Sequence, residues 1–192
     1  MTYPQFFNNI PTIKLQDDLA YLLGAFEDGL IEFSYLDVVK SAGHSCPTVL
    51  GAYLMTLQGL KALHENEIAK RGNILVEFKE KQIDGVAGVI GSVITKITGA
   101  TTTNGFKGLA GKHDRNHLMN FENDINGASV RFTRLDTQKS VDVFYNPSSI
   151  LPHPNMNPLM QKCVQGSASL EEKKEFGKLW QQRVEDISNN IE

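Results

Sequence analysis

The sequence predicts an α+β fold: a mixed or antiparallel sheet around a buried central helix that starts at a Gly-His-Ser-Cys-Pro segment, plus a C-terminal helix. Three observations carry this. Residues 47–64, PTVLGAYLMTLQGLKALH, are apolar nearly all round, the pattern of a helix buried on every side. Residues 73–80 and 140–145 alternate apolar and polar positions with period two, the pattern of half-buried strands. Phe176, Leu179, Trp180, Val184, Ile187 and Ile191 recur at helical spacing along one face near the end of the chain. With 192 residues, 41% of them hydrophobic and 21% charged, the chain is long enough for one substantial core, which excludes disordered, collagenous and disulfide-scaffold classes.

In chain order, residues 17–26 carry Leu19, Tyr21, Leu22, Leu23 and Phe26 behind two acids, Asp17 and Asp18, where a helix N-terminus favours them; Gly29 ends this helix. Residues 33–41 space Phe33, Leu36 and Val39 as a second helix that stops at Gly43. Pro47 suits the first position of the central helix, because its missing N–H has no partner to lose there, and this puts Cys46 at or beside the N-cap. Residues 86–98 fit a glycine-containing helix or a strand, and periodicity does not separate the two. Residues 130–135 and 140–145 flank a short polar connection and form a hairpin. Pro147, Pro152, Pro154 and Pro158 mark an extended connection, after which Ser169-Leu170-Glu171-Glu172 reads as the capping box of the last helix. The organisation expected is an α+β core over residues 1–158 and a helical appendage over 159–192.

A formal net charge of -3 gives no electrostatic reason to bind a phosphate backbone, so nucleic acid is not an expected partner. No basic region precedes an apolar stretch near the N-terminus, and no apolar run reaches the roughly 18–20 residues a bilayer needs. The expectation is a soluble cytoplasmic protein with reduced thiols and no membrane partner. Cys46 and Cys163 are the only cysteines, too few for a four-cysteine zinc finger or iron–sulfur cluster.

The chemistry concentrates in Gly43-His44-Ser45-Cys46-Pro47. Free backbone N–H groups at a helix start favour an anion, and a thiolate is both a nucleophile and a soft metal ligand. With the His44 imidazole, Cys46 supplies half of a zinc or nickel shell; the plain alternative is a small packed cysteine beside a turn histidine. His113 and His117, four apart, present both rings on one side if they lie on a helix, and the glycines before them allow a loop equally well. His64, near a helix C-terminus, reads as a partner of the last carbonyls; His153 and Cys163 carry no separate signal. Gly85, Gly88, Gly91, Gly99, Gly105, Gly108 and Gly111 crowd one stretch, either to line a cofactor pocket or to make tight turns, without the spacing of a dinucleotide or P-loop motif.

The run GHSCPTVLGAYLM resembles the G-H-x-C-P-x-x-x-x-G motif of the FmdE family, which takes its name from formylmethanofuran dehydrogenase, with Gly43, His44, Cys46, Pro47 and Gly51 on its positions. Thr98-Gly99-Ala100-Thr101 is similar to that family's T-G-C-T segment, and the resemblance covers about residues 30–150. It implies an α+β core, commonly a homodimer, with a pocket where the motif's His and Cys bind a metal such as zinc. Two departures bear on the site. Ala100 stands where the familiar pattern has a second cysteine, and Ser92 where it has an aspartate. The implied shell is then one thiolate per chain, completed by nitrogen, oxygen or a symmetry partner.

Two functions from different classes follow. In the first, His44 and Cys46 hold zinc or nickel, with His113 and His117 as further candidate ligands, in a protein accessory to or derived from formylmethanofuran dehydrogenase-type systems. In the second, an enzyme acts on a small molecule, with Cys46 as nucleophile and His44 as base, or with an open metal site as Lewis acid. A scaffold using its C-terminal helix needs no chemistry from Cys46.

Overall fold

The computed structural model describes residues 2–127 and 129–190. Seven strands and six α-helices follow one another as β1 (Ile13–Gln16), α1 (Asp18–Leu22), β2 (Leu30–Phe33), α2 (Tyr35–Ala42), α3 (Pro47–His64), β3 (Ala69–Lys70), β4 (Ile74–Phe78), α4 (Ala87–Thr98), β5 (Met119–Asn120), β6 (Val130–Arg134), β7 (Ser140–Val143), α5 (Met156–Val164) and α6 (Leu170–Asn190). The fold is α+β, and both of its sheets are mixed. One has the order β2-β1-β3, antiparallel then parallel; the other has the order β5-β4-β6-β7, with only β5 and β4 parallel.

Helix α3 is the axis of the molecule. Its apolar circumference packs on α2, α4, α6 and the β6–β7 hairpin, and Val49, Leu50, Ala52, Tyr53 and Leu63 are all but fully buried. The expected β6–β7 hairpin forms, with Val130 opposite Val143 and Thr133 opposite Ser140. Residues 87–98 resolve as helix α4, closed by Gly99 in the left-handed conformation. Helix α6 starts with the expected capping box: Ser169 N donates to Glu172 at 2.9 Å and Glu172 N to the Ser169 hydroxyl at 3.2 Å. Val184 and Ile187 of that helix lie in the same core as α3, while Ile191 falls outside the described residues.

Three elements and one side chain differ from expectation for identifiable reasons. Phe33 belongs to β2, and the following helix begins at Tyr35 because Ser34 caps it in a box with Asp37. Helix α1 is only five residues long and leaves Tyr21, Leu22 and Leu23 exposed. Pro158 sits inside α5 and not in the extended connection; in a first helical turn the N–H that proline lacks has no intrahelical partner. His64 does not pair with terminal carbonyls: it is buried, neither ring nitrogen has a hydrogen-bond partner among the described residues, and burial, then the nearby Arg134 charge, push its pKa below the ordinary histidine value.

A long-range brace joins the first sheet to the loop after α4. Asp17 caps α1 through Leu19 N and Ala20 N, and its carboxylate also meets Arg71 at 2.9 Å and Arg115 at 2.6 Å. Burial alone raises a carboxyl pKa, but hydrogen bonding and charge from the two guanidiniums outweigh it and hold Asp17 below the usual carboxylate range.

Candidate metal centre

The Gly43–Pro47 loop is built by the helix ends on either side of it. Gly43 terminates α2 at φ 77°, a left-handed conformation that glycine adopts without Cβ strain, and its N–H closes on Val39 O at 2.8 Å. Cys46 is the N-cap of α3, its sulfur accepting from Val49 N at 3.4 Å, and Pro47 opens the helix. The sequence therefore placed both the cap and the proline correctly. His44 is exposed; its Nδ1 lies 3.1 Å from Ala42 O. A carbonyl can only accept, so that contact selects the Nδ1–H tautomer and leaves the Nε2 lone pair free, the arrangement that metal-binding histidines use.

Between the two candidate ligands, Ser45 is held from three sides. Its hydroxyl pairs with Tyr35 at 2.9 Å, and its carbonyl accepts from Trp180 Nε1 at 2.9 Å and Gln181 Nε2 at 3.2 Å. The C-terminal helix thus fastens the motif loop directly, a role that hydrophobic periodicity does not reveal. Tyr145 works from the other side, donating its hydroxyl to Pro47 O at 2.6 Å. Its ring occupies the space where a side chain on Gly51 would project: a Cβ there would stand 2.3 Å from Cε1. The glycine four residues after Pro47 is explained by that close approach. Burial raises the pKa values of Tyr35 and Tyr145 far above the ordinary phenol value, so both hydroxyls remain protonated.

His44 opens onto a cleft of about 300 Å³ between α2 and α4, with Ser41, Ser92 and Lys96 among its walls. Ser92, which stands where the resemblance implies an aspartate, lines this same cleft and turns its hydroxyl to Gly88 O at 2.9 Å. Ala100 is fully buried. His113 and His117 lie in an irregular loop, both at positive φ, so they lack the helical relation. His113 borders a different cleft, with Arg71, Asp114 and Arg115. Among the described residues no three His, Cys, Asp or Glu side chains gather in a way that could hold a metal ion. Cys163 is a free, half-buried thiol on α5. The crowded glycines divide by role: Gly88 and Gly91 lie within α4, Gly99 caps it, and Gly108 and Gly111 turn the following loop at positive φ.

A family described as FmdE, molybdenum formylmethanofuran dehydrogenase operon, matches residues 42–192, which include the whole Gly43–Pro47 loop and helix α6. The chain belongs to the FmdE family. Its membership rests on most of the chain, and the match extends through the helix that carries Trp180. No curated protein matches it, and no solved structure does. No helix among the described residues is long and apolar enough to cross a membrane. Within the matched region, His44, Cys46 and Pro47 belong to one braced helix start, where two of the candidate metal donors lie two residues apart.

Proposed function

We propose that this FmdE-family protein binds a divalent metal ion, zinc or nickel, through the Cys46 thiolate and His44 Nε2, in a role accessory to or derived from formylmethanofuran dehydrogenase-type systems. The observation that carries the reading is the loop itself. Cys46 caps the central helix, and two residues away His44 has Nδ1 committed to Ala42 O, which leaves the other nitrogen available. Thiolate with imidazole is a donor set that zinc and nickel accept. By donor chemistry these two residues supply half of a four-coordinate shell. When bound, the ion supplies Lewis acidity, while the chain's own residues hold the donors in place through Ser45 and Pro47.

The remaining donors come from water or from a second copy of the chain in a homodimer. Support for self-association is the run of exposed apolar side chains at Tyr21, Leu22, Leu23, Phe26 and Leu30, beside the free edge of β2. Two unpaired cysteines suit the reducing cytoplasm. A second reading, favoured by the cleft beside His44, is an enzyme acting on a small molecule there, with an open metal position as Lewis acid; its other form, with Cys46 as nucleophile, draws no support from that cleft, which Cys46 does not line.

The test is elemental analysis of protein purified without chelators, for the wild type, His44→Ala and Cys46→Ala. Stoichiometric zinc or nickel in the wild type and its loss from both folded variants support the proposal. A folded wild type that neither carries metal nor takes it up on titration overturns it. Light scattering at micromolar concentration reads the dimer, which a monomer mass contradicts.

A further inference from the structure

We propose that a second cleft, on a different face of α4 from His44, binds a small amphiphile bearing a protonated amine or guanidinium group. The cleft measures about 410 Å³, within the roughly 300–1,000 Å³ of small-molecule sites. Met55, Phe78 and Ile90 give it an apolar floor, and Met55 and Phe78 are almost wholly buried. Its charged side chains are of one sign. Glu80 and Asp84 contribute carboxylates, Thr48 and Ser129 contribute hydroxyls, and no described lysine, arginine or histidine lines the cleft.

Neither carboxylate is paired with a cation among the described residues. The charge therefore remains for a ligand to neutralise. An ammonium brings three donors and no acceptor, and a guanidinium five, which suits a wall of carboxylate and hydroxyl acceptors. A carboxylate or phosphate ligand meets two like charges here, and a neutral alcohol forgoes the attraction. The apolar floor gives the remainder of such a molecule a place to leave water. Pro47 and Thr48 extend this wall directly from Cys46, yet none of its charged groups is a candidate metal ligand, so the inference stands apart from metal binding.

The experiment titrates the full chain near pH 7 and low salt with hexylammonium, hexanoate and 1-hexanol, following backbone amide shifts by NMR. Hexylammonium is expected to saturate shifts around residues 48, 84–90 and 129, and to bind more tightly than either analogue. Glu80→Gln and Asp84→Asn should each weaken it by about two- to five-fold, the range for exposed ion pairs. Val86→Trp, at the exposed rim, should block it while leaving the fold intact. Hexanoate binding as tightly as hexylammonium, a double carboxylate variant that keeps the preference, or shifts located elsewhere would each overturn the inference. Metal uptake and amine binding are read by different measurements, elemental analysis and amide shifts, and the carboxylates tested here lie outside the proposed metal ligands, so the two proposals fail separately.

Discussion

Replacing Gly51 with alanine tests how the motif loop is held. The added methyl would stand 2.3–2.5 Å from three carbons of the Tyr145 ring, well inside contact distance. Forcing extra volume into a packed site costs about 1–3 kcal/mol. Withdrawal of the ring also breaks the 2.6 Å hydrogen bond from Tyr145 to Pro47 O, worth about 1 kcal/mol. Alanine's better helix propensity returns about 1 kcal/mol. The net expectation is destabilisation by about 1–3 kcal/mol, which at about 2–4 °C per kcal/mol lowers Tm by about 2–12 °C. Thermal and urea melts followed by circular dichroism measure it. The decisive comparison uses a Tyr145→Ala background: with the ring gone, Gly51→Ala should change sign and stabilise by about 1 kcal/mol. If Gly51→Ala costs nothing in the wild type, or costs as much without Tyr145, the close-approach explanation is wrong.

Three further outcomes follow from the geometry. Asp17→Asn leaves Arg115 buried without its counter-charge and should cost about 3 kcal/mol, the low end for breaking a buried pair because Arg71 is partly exposed. Since the folded-state pKa of Asp17 lies below 3.8, the stability it adds is present above that value and lost as pH falls through the folded pKa; urea melts should show this acid loss in the wild type and less of it in Asp17→Asn. His64 has a folded-state pKa below 6.5, so the unfolded chain takes up the proton first and acid favours unfolding; His64→Leu should lose less stability than the wild type between pH 7 and pH 5, and equal slopes would refute the buried neutral ring. Trp180 is the chain's only tryptophan and its indole holds Ser45 O, so zinc added to metal-free protein should alter tryptophan emission in the wild type and leave His44→Ala unchanged. Unaltered emission in zinc-loaded wild type would contradict the coupling between α6 and the loop.

Local signals explain what the sequence made legible. Helix α3 has the predicted bounds because Pro47 can only open it and its apolar circumference has no other use. Cys46 as the N-cap follows from that one placement, and Ser169 with Glu172 is a short-range pair that three-residue spacing exposes. The first sheet was not legible: β1 and β2 have four residues each and β3 two, too short for alternation to declare itself, so Phe33 passed as helical. The brace at Asp17 joins residues 54 and 98 positions apart, and the clamp on Ser45 reaches across 135. Pairings at that range depend on the folded topology. Gly51 was visible as a motif position, but its reason, the Tyr145 ring, lies on a segment that only the hairpin brings back to α3.

The Gly43–Pro47 loop is the proposed metal site. Diffraction data collected on either side of the zinc or nickel absorption edge, from crystals of protein loaded with that metal, test it most directly. The expected result is an anomalous peak bonded to Cys46 Sγ at about 2.3 Å and to His44 Nε2 at about 2.0–2.1 Å. A metal found elsewhere on the protein, with Cys46 still capping α3 and His44 Nε2 free of it, would overturn the proposed site.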